Sequence, residues 1–265
     1  MNRKAVVAVS LAVSLALAPS ITQADSHRDG GRRDFQPGAD GAGDPYFPLD
    51  GNGGYDVKHY GLDVTYDPAT DVLTGVATIS AKATQNLSTF NLDFEGLTVR
   101  SIKVEGRSAE WTRNGGELTV VPRRGLEKRH DFTVVVRYDG IPATIEDPQL
   151  GPSGFFHTDD GAMVIGQPDV AATWFPVNDH PIDKASYTFN ITVPADLQVV
   201  ANGVLKGEHE RHGWKTWTWD AREPMASYLA TMAIGKFDVH AYRDNGIKFW
   251  DAIDPDLFVR TAPRT

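Results

Sequence analysis

From Tyr55 onward the chain alternates between apolar and polar residues with a period of two. Tyr60, Leu62, Val64 and Tyr66 fall on one face of a first strand, and Asp67-Pro68-Ala69-Thr70-Asp71 supplies the turn after it. Ala77, Ile79, Ala81 and Ala83 mark the inward face of a second strand; Phe90, Leu92 and Phe94 mark a third, and Ile102 and Val104 a fourth. Past the hairpin punctuation at Gly106 and Asn114-Gly115-Gly116 come Leu118 and Val120, then Phe132, Val134, Val136 and Tyr138. Tyr187, Phe189, Ile191 and Val193 alternate again. Trp217 and Trp219 share one face of a later strand with Trp214 on the other, and Tyr228 to Phe237 closes the series. Side chains that point inward at every second position define half-buried strands. Asn202-Gly203 is a strong tight-turn signal, since both residues tolerate positive φ. No segment carries the period of a helix longer than a turn or two. About ten short strands, with turn signals every ~8–15 residues, predict an all-β fold, a sandwich or open barrel.

The alternation fails in three places. Residues 25–54, including "DGGRRDFQPGADGAGDP", are rich in Gly, Asp, Arg and Pro and hold few aliphatics. Such a stretch buries too little apolar surface to offset its ordering entropy, so it is expected to be a flexible leader that docks only from Tyr46, Phe47 and Leu49. Between Gly140 and Gly161 lies a loop too long for a plain hairpin, and long loops in compact domains are usually functional or interfacial. After residue 252, Asp254-Pro255 opens what reads as a linker over 253–265.

Composition changes the picture at the amino terminus and in what it excludes. Arg3 and Lys4 precede an apolar run from Ala5 to Ala18, and Thr22-Gln23-Ala24 follows with small residues where a signal peptidase reads. Residues 1–24 are therefore expected to be a secretory signal peptide. The run is short of the roughly 20 residues that span a bilayer, so no stable membrane span is expected; a retained signal anchor is the other reading. The formal charge of −9 argues against nucleic acid as a partner, because phosphate binding needs a basic face. The chain has no cysteine, which excludes a disulfide scaffold and thiol catalysis.

Catalytic motifs are missing. A zinc-peptidase helix needs two histidines one turn apart in H-E-x-x-H. The nearest approach, His209-Glu210-Arg211-His212, places Gly213 where the second histidine belongs, in a stretch that reads as a hairpin tip. There is no G-x-S-x-G elbow and no phosphate-binding glycine loop. Asp159-Asp160 reads as a solvated turn. Trp214, Trp217 and Trp219 suggest either core packing or a carbohydrate platform.

One stretch remains, "GQPDVAATWFPVNDHPIDKASYTFNITVP" at 166–194, where four prolines interrupt a run containing Trp174 and Phe175. This stretch resembles the N-terminal domain of the aminopeptidase N family of zinc metallopeptidases. That family has a glutamine or glutamate, then an aromatic residue, Pro, two residues, Asp, x, Pro, two residues and Lys before a strand. Here the positions are Gln167, Phe175, Pro176, Asp179, Pro181 and Lys184. "EPMASYLATMAIGKFD" at 223–238 is similar to the family's later strand, and "YDVKHYGLDVTYD" to its opening one. Gly161-Ala162-Met163 is a chance likeness to the family's substrate strand, since it precedes Gln167 and continues as Val164-Ile165.

The resemblance implies a saddle-shaped β-sandwich over 55–252, lying against a separate thermolysin-like catalytic domain. It implies zinc for the complete enzyme, no metal bound by this chain, no catalytic residue within it and no activity alone. It also implies that Gln167 binds the free α-amino group of a peptide substrate, as a carboxamide oxygen accepts hydrogen bonds from an ammonium; a loop glutamine bonded to its own backbone is the alternative. Trp174 and Phe175 would pack the loop onto the sandwich. Asp179 and Lys184 would fix its shape by turn capping and a local ion pair. The competing reading is a free-standing secreted binding module that presents Trp217, Trp219 and the 141–160 loop to a carbohydrate or protein ligand.

Overall fold

A computed structural model describes residues 34–148 and 151–256. The strands expected from the alternation form a large sheet of eight. Its spatial order is Val204–Arg211, Trp214–Met225, Ala185–Pro194, Tyr55–Asp67, Val72–Ala83, Asp131–Gly140, Thr98–Val104 and Arg107–Ser108. Every pair in it is antiparallel except Tyr55–Asp67 with Ala185–Pro194, which run parallel with Ser186 opposite His59 and Thr192 opposite Thr65. A second sheet of five holds Thr144–Asp147, Gly151–His157, Ala162–Ile165, Met232–Gly235 and Gln198–Ala201 in that order. A third, of four, holds Gln36–Pro37, Leu87–Asp93, Glu117–Val121 and Glu110–Asn114. Asp238–Asp244 and Ile247–Ile253 form a separate hairpin.

The inward residues of all three larger sheets meet in one apolar core. Tyr60, Leu62, Tyr66, Ala77, Tyr187, Phe189 and Ile191 are completely buried there. The all-β sandwich is thus the fold, and its cause is the period-two pattern: each strand has a wet face and a dry face, and the dry faces can be covered only by another layer.

Two sequence expectations differ from the structure. Residues 34–54 are not a free leader. Gln36–Pro37 pairs in parallel with Leu87–Asp93, Gly53 donates its N–H to Ala39 O at 3.0 Å, and Asn52 is buried. The docking points are not Tyr46, Phe47 and Leu49, which are all exposed. They are glycines that let the backbone come close: at Gly51 (φ +61°) an added Cβ would lie 2.5 Å from the Cβ of His180. The 141–160 segment, expected as a loop, contributes Thr144–Asp147 and Gly151–His157 to the five-stranded sheet. Asn202-Gly203 turns the chain as expected, with Gly203 at φ +94°. Gln198–Ala201 before it belongs to the five-stranded sheet and Val204–Arg211 after it to the eight-stranded one, so it carries the chain between layers. The expected signal peptide at 1–24 and most of the 253–265 linker lie outside the described residues. Among the described residues no helix is long and apolar enough to cross a membrane.

Candidate functional site

The strand Ala162–Ile165 runs into a turn at Gly166–Asp169, on which Gln167 stands exposed, joined to Pro168 by a cis peptide bond. Among the described residues the Gln167 carboxamide makes no hydrogen bond, and Val170 N–H closes the turn onto Gly166 O at 3.1 Å. Behind the turn, all ten residues from Ala171 to His180 are buried, although they form no strand and only one turn of 3-10 helix, Ala171–Thr173.

Two aromatics fix this stretch from below. Trp174 and Phe175 are completely buried and meet edge to face at 4.6 Å. Phe175 meets the Tyr60 ring at 5.5 Å, and Trp174 stacks on Phe189 at 6.3 Å. Both partners belong to central strands of the large sheet, so the rings pin the irregular segment to the most rigid part of the fold. Trp174 and Phe175 are thus in contact with the sheet beneath this stretch.

Irregular backbone inside a protein must find partners outside a ladder, and here it finds them in side chains. Asp93 Oδ2 accepts from Asp179 N–H at 2.7 Å and from Asn52 Nδ2 at 3.1 Å. Asp179 accepts from Ser227 Oγ at 2.6 Å and from Ala172 N–H at 3.1 Å. Asn178 N–H donates to Tyr60 Oη at 3.0 Å, and Asn178 Oδ1 accepts from Asn52 N–H at 2.6 Å. Asp183 accepts from Val57 N–H at 3.0 Å and from Asn178 Nδ2. Asp179 thus ties Ala172 and Ser227 together across 7 and 48 residues, and the expected ion pair with Lys184 does not form among the described residues. Lys184 is exposed and forms no ion pair among the described residues, because the Asp179 carboxylate is buried and already used by Ser227 and Ala172. Pro176 is buried beside Phe175, whereas Pro181 is exposed. Sequence reasoning missed Asn52, Asp93, Asn178, Asp183 and Ser227. Only the glycine cluster at 51–54 hinted at them, since it marks a place where two backbones approach.

This network forms one wall of a cleft of about 450 Å³ lined by seven carboxylates, Asp40, Asp50, Asp93, Glu95, Glu117, Asp169 and Asp179, with no lysine, arginine or histidine. Burial is the main reason their acidities change. It pushes Asp93, Glu117 and Asp179 each up to about 7, and Asp183 behind them up to about 6, against the opposing pull of their hydrogen bonds. Asp169, two residues from Gln167, brings the cleft to the foot of the exposed turn.

The chain offers no place for zinc among its described residues. No group of three His, Cys, Asp or Glu side chains is close enough to hold a metal. His209 lies in an exposed edge strand, and His212 stands at φ +53° in the turn beyond it, so the near-motif lacks the helix that would align two imidazoles. Trp217 and Trp219 are 7% and 2% exposed, which makes them core residues and not a surface platform.

The sandwich and the proline-braced segment define the class. Residues 56–229 match the peptidase M1 N-terminal domain, and the chain belongs to that family. It is 36% identical over 201 residues to human glutamyl aminopeptidase and 28% identical over 200 residues to the Rattus norvegicus enzyme, in each case over 68% of this chain and 20% of the relative. Among solved structures it is similar to an M1 zinc metallopeptidase from Deinococcus radiodurans. The TM-score is 0.73 at 29% identity, over 77% of this chain and 47% of that one. A two domain M1 zinc metallopeptidase matches with a TM-score of 0.74 at 28% identity, over 79% and 50%. The chain thus spans about half the length of these solved structures and a fifth of the curated relatives. A free-standing binding module is not favoured.

Proposed function

We propose that this chain is the amino-terminal substrate-cleft domain of a secreted zinc aminopeptidase, which removes N-terminal residues from peptides. In this reading Gln167 accepts hydrogen bonds from the substrate's α-ammonium, and the peptide's reacting carbonyl faces a thermolysin-like catalytic domain. Zinc in the complete enzyme would polarise that carbonyl and activate water. In this reading the part of this chain's own residues is binding and orientation, and the chain alone hydrolyses nothing.

The observation that carries the reading is the contrast within one short segment. An exposed carboxamide with no partner among the described residues stands on a turn whose next ten residues are locked in the core. An acceptor held this way loses little entropy on binding a donor. The carboxylate-lined cleft beside Asp169 adds a negative field that draws an ammonium toward the turn.

The test is kinetic. In the complete enzyme, Gln167→Ala should raise KM for an aminoacyl-anilide about tenfold or more, and Gln167→Glu should keep much of the affinity, since it retains the acceptor. Unchanged KM in the alanine variant would remove the assignment. Turnover by the chain alone would remove the division of labour. Secretion is tested by amino-terminal sequencing of the exported protein, which should begin after Ala24.

A further inference from the structure

The chain carries a formal charge of −9, yet one stretch of it is strongly basic. "PRRGLEKRH" at 122–130 sets Arg123, Arg124, Lys128 and Arg129 against a single carboxylate, Glu127. The fold gathers part of this charge in one place. Arg107, Arg123 and Arg124 line a cleft of about 280 Å³ that shares no residue with the acidic cleft beside Asp169. Val104, Pro122 and Leu126 also line it, and all three are buried, so the guanidiniums stand over an apolar base.

Both arms that carry the arginines are fixed. Arg107 follows a tight turn, Glu105 (φ +51°) and Gly106 (φ +73°), which pairs it with Val104 at the edge of the large sheet. Arg123 and Arg124 lie between strand Glu117–Val121 and Leu126, which exchanges two backbone hydrogen bonds with Leu87 at 2.9 and 2.8 Å. Gly125 comes so close to Phe35 that an added Cβ would lie 2.4 Å from its ring. The three guanidiniums are exposed and make no ion pair or hydrogen bond with any described residue. The backbone N–H groups of Arg123, Arg124 and Gly125 donate to no described residue either. The one carboxylate in the lining, Glu105, accepts Thr133 N–H at 2.6 Å.

Like charges gathered without a counterion repel one another, and in a chain with more acids than bases a partner is close to hand in composition. The partner this cleft lacks is an anion, and a guanidinium fork matches two oxygens of a tetrahedral oxyanion at once. We propose that the cleft binds the dianionic head of a phosphate or sulfate monoester. The oxyanion would sit between Arg107 on one arm and Arg123 and Arg124 on the other, with the 123–125 loop supplying further N–H donors. The neutral part of the ester would lie on the apolar base. A nucleic-acid backbone needs an extended basic face, whereas the charge here is confined to one corner of an acidic protein. The assignment does not rest on the role given to Gln167.

The experiment titrates the full chain with glucose 6-phosphate, glucose 6-sulfate, inorganic phosphate and inorganic sulfate, with sodium chloride holding the ionic strength constant. Binding is read from the arginine Nε–Hε resonances and from the midpoint of thermal unfolding. Both esters should give saturable shifts at Arg107, Arg123 and Arg124, half-complete at ~1 mM or below, and the tighter of the two identifies the source of the oxyanion. Glucose should give none. Bare phosphate and sulfate should bind at least ~3-fold more weakly; equal affinity would mean an adventitious ion only and overturn the proposal. Arg107→Gln, Arg123→Gln and Arg124→Gln should each weaken the better ester about tenfold. Glu105→Gln keeps the acceptor for Thr133 N–H and should tighten it. Lys184→Gln removes one charge elsewhere and should change nothing; an equal loss there would show that binding follows net charge alone and overturn the assignment. No saturation by ~10 mM would do the same.

Discussion

Two adjoining stretches bury apolar residues by opposite means. Ala185–Pro194 alternates strictly, with one buried residue for each half-buried one, and its backbone is satisfied by neighbouring strands. Ala171–His180 buries every residue and has almost no ladder. Its polar groups are met by the carboxylates of Asp93 and Asp183, the phenol of Tyr60, the hydroxyl of Ser227 and the backbone of Asn52. A strand inherits its position from periodicity, whereas an irregular core segment has to be held residue by residue. The second kind of region should fail to single substitutions that the first would tolerate.

The largest effect is expected at Trp174. Trp174→Ala should cost about 3–5 kcal/mol in urea denaturation, because the ring is fully enclosed between Phe175 and Phe189. A loss under 1 kcal/mol would mean that the segment does not depend on its aromatic anchor. Next comes Asn178→Ala, which removes the acceptor for Asn52 N–H and a donor to Asp183 while leaving the strands intact. About 2–3 kcal/mol is expected, with faster proteolysis within residues 34–54, since Asn178 ties that segment down.

A subtler test uses pH. The folded Asp93 carboxyl sits at about 7 instead of its usual 3.8, so it favours the protonated form. The stability it contributes is fully present below about 4 and is lost as the pH rises through 7. Asp93→Asn keeps the one oxygen that accepts from both Asp179 and Asn52. The variant should therefore gain on the parent as pH rises from 5 to 8, by ~2 kcal/mol; parallel stability curves would disprove the linkage. The smallest effects belong to the exposed positions. Gln167→Ala and Lys184→Ala should each change stability by less than about 0.5 kcal/mol, which for Gln167 separates a binding role from a structural one.

The period-two strands were legible in the sequence because each half-buried strand carries its own signature, as Tyr60 to Tyr66 and Tyr187 to Val193 do. The fixed character of the 166–184 segment was legible from its prolines and its resemblance to a peptidase domain. The polar clamp was not. Asn52 and Asn178 are 126 residues apart, Asp93 and Asp179 are 86 apart, and no local pattern announces that distant polar residues will share a buried hydrogen bond. The docking of 34–54 was hidden for the same reason, since a glycine-rich stretch reads as loose unless its partner surface is known. At Asn202-Gly203 the turn was legible but its place in the fold was not: turn chemistry fixes the local bend but not which layer receives the next strand.

The parallel contact between Tyr55–Asp67 and Ala185–Pro194 lies at the middle of the large sheet and joins segments separated by more than a hundred residues. During synthesis, everything up to Gly140 can assemble on one side of Tyr55–Asp67 while its other edge stays bare. That edge must wait for the ribosome to deliver residue 194. A nascent chain paused in the interval presents thirteen residues of ready-made pairing surface, and it is there that misassembly or a holding chaperone should first take hold.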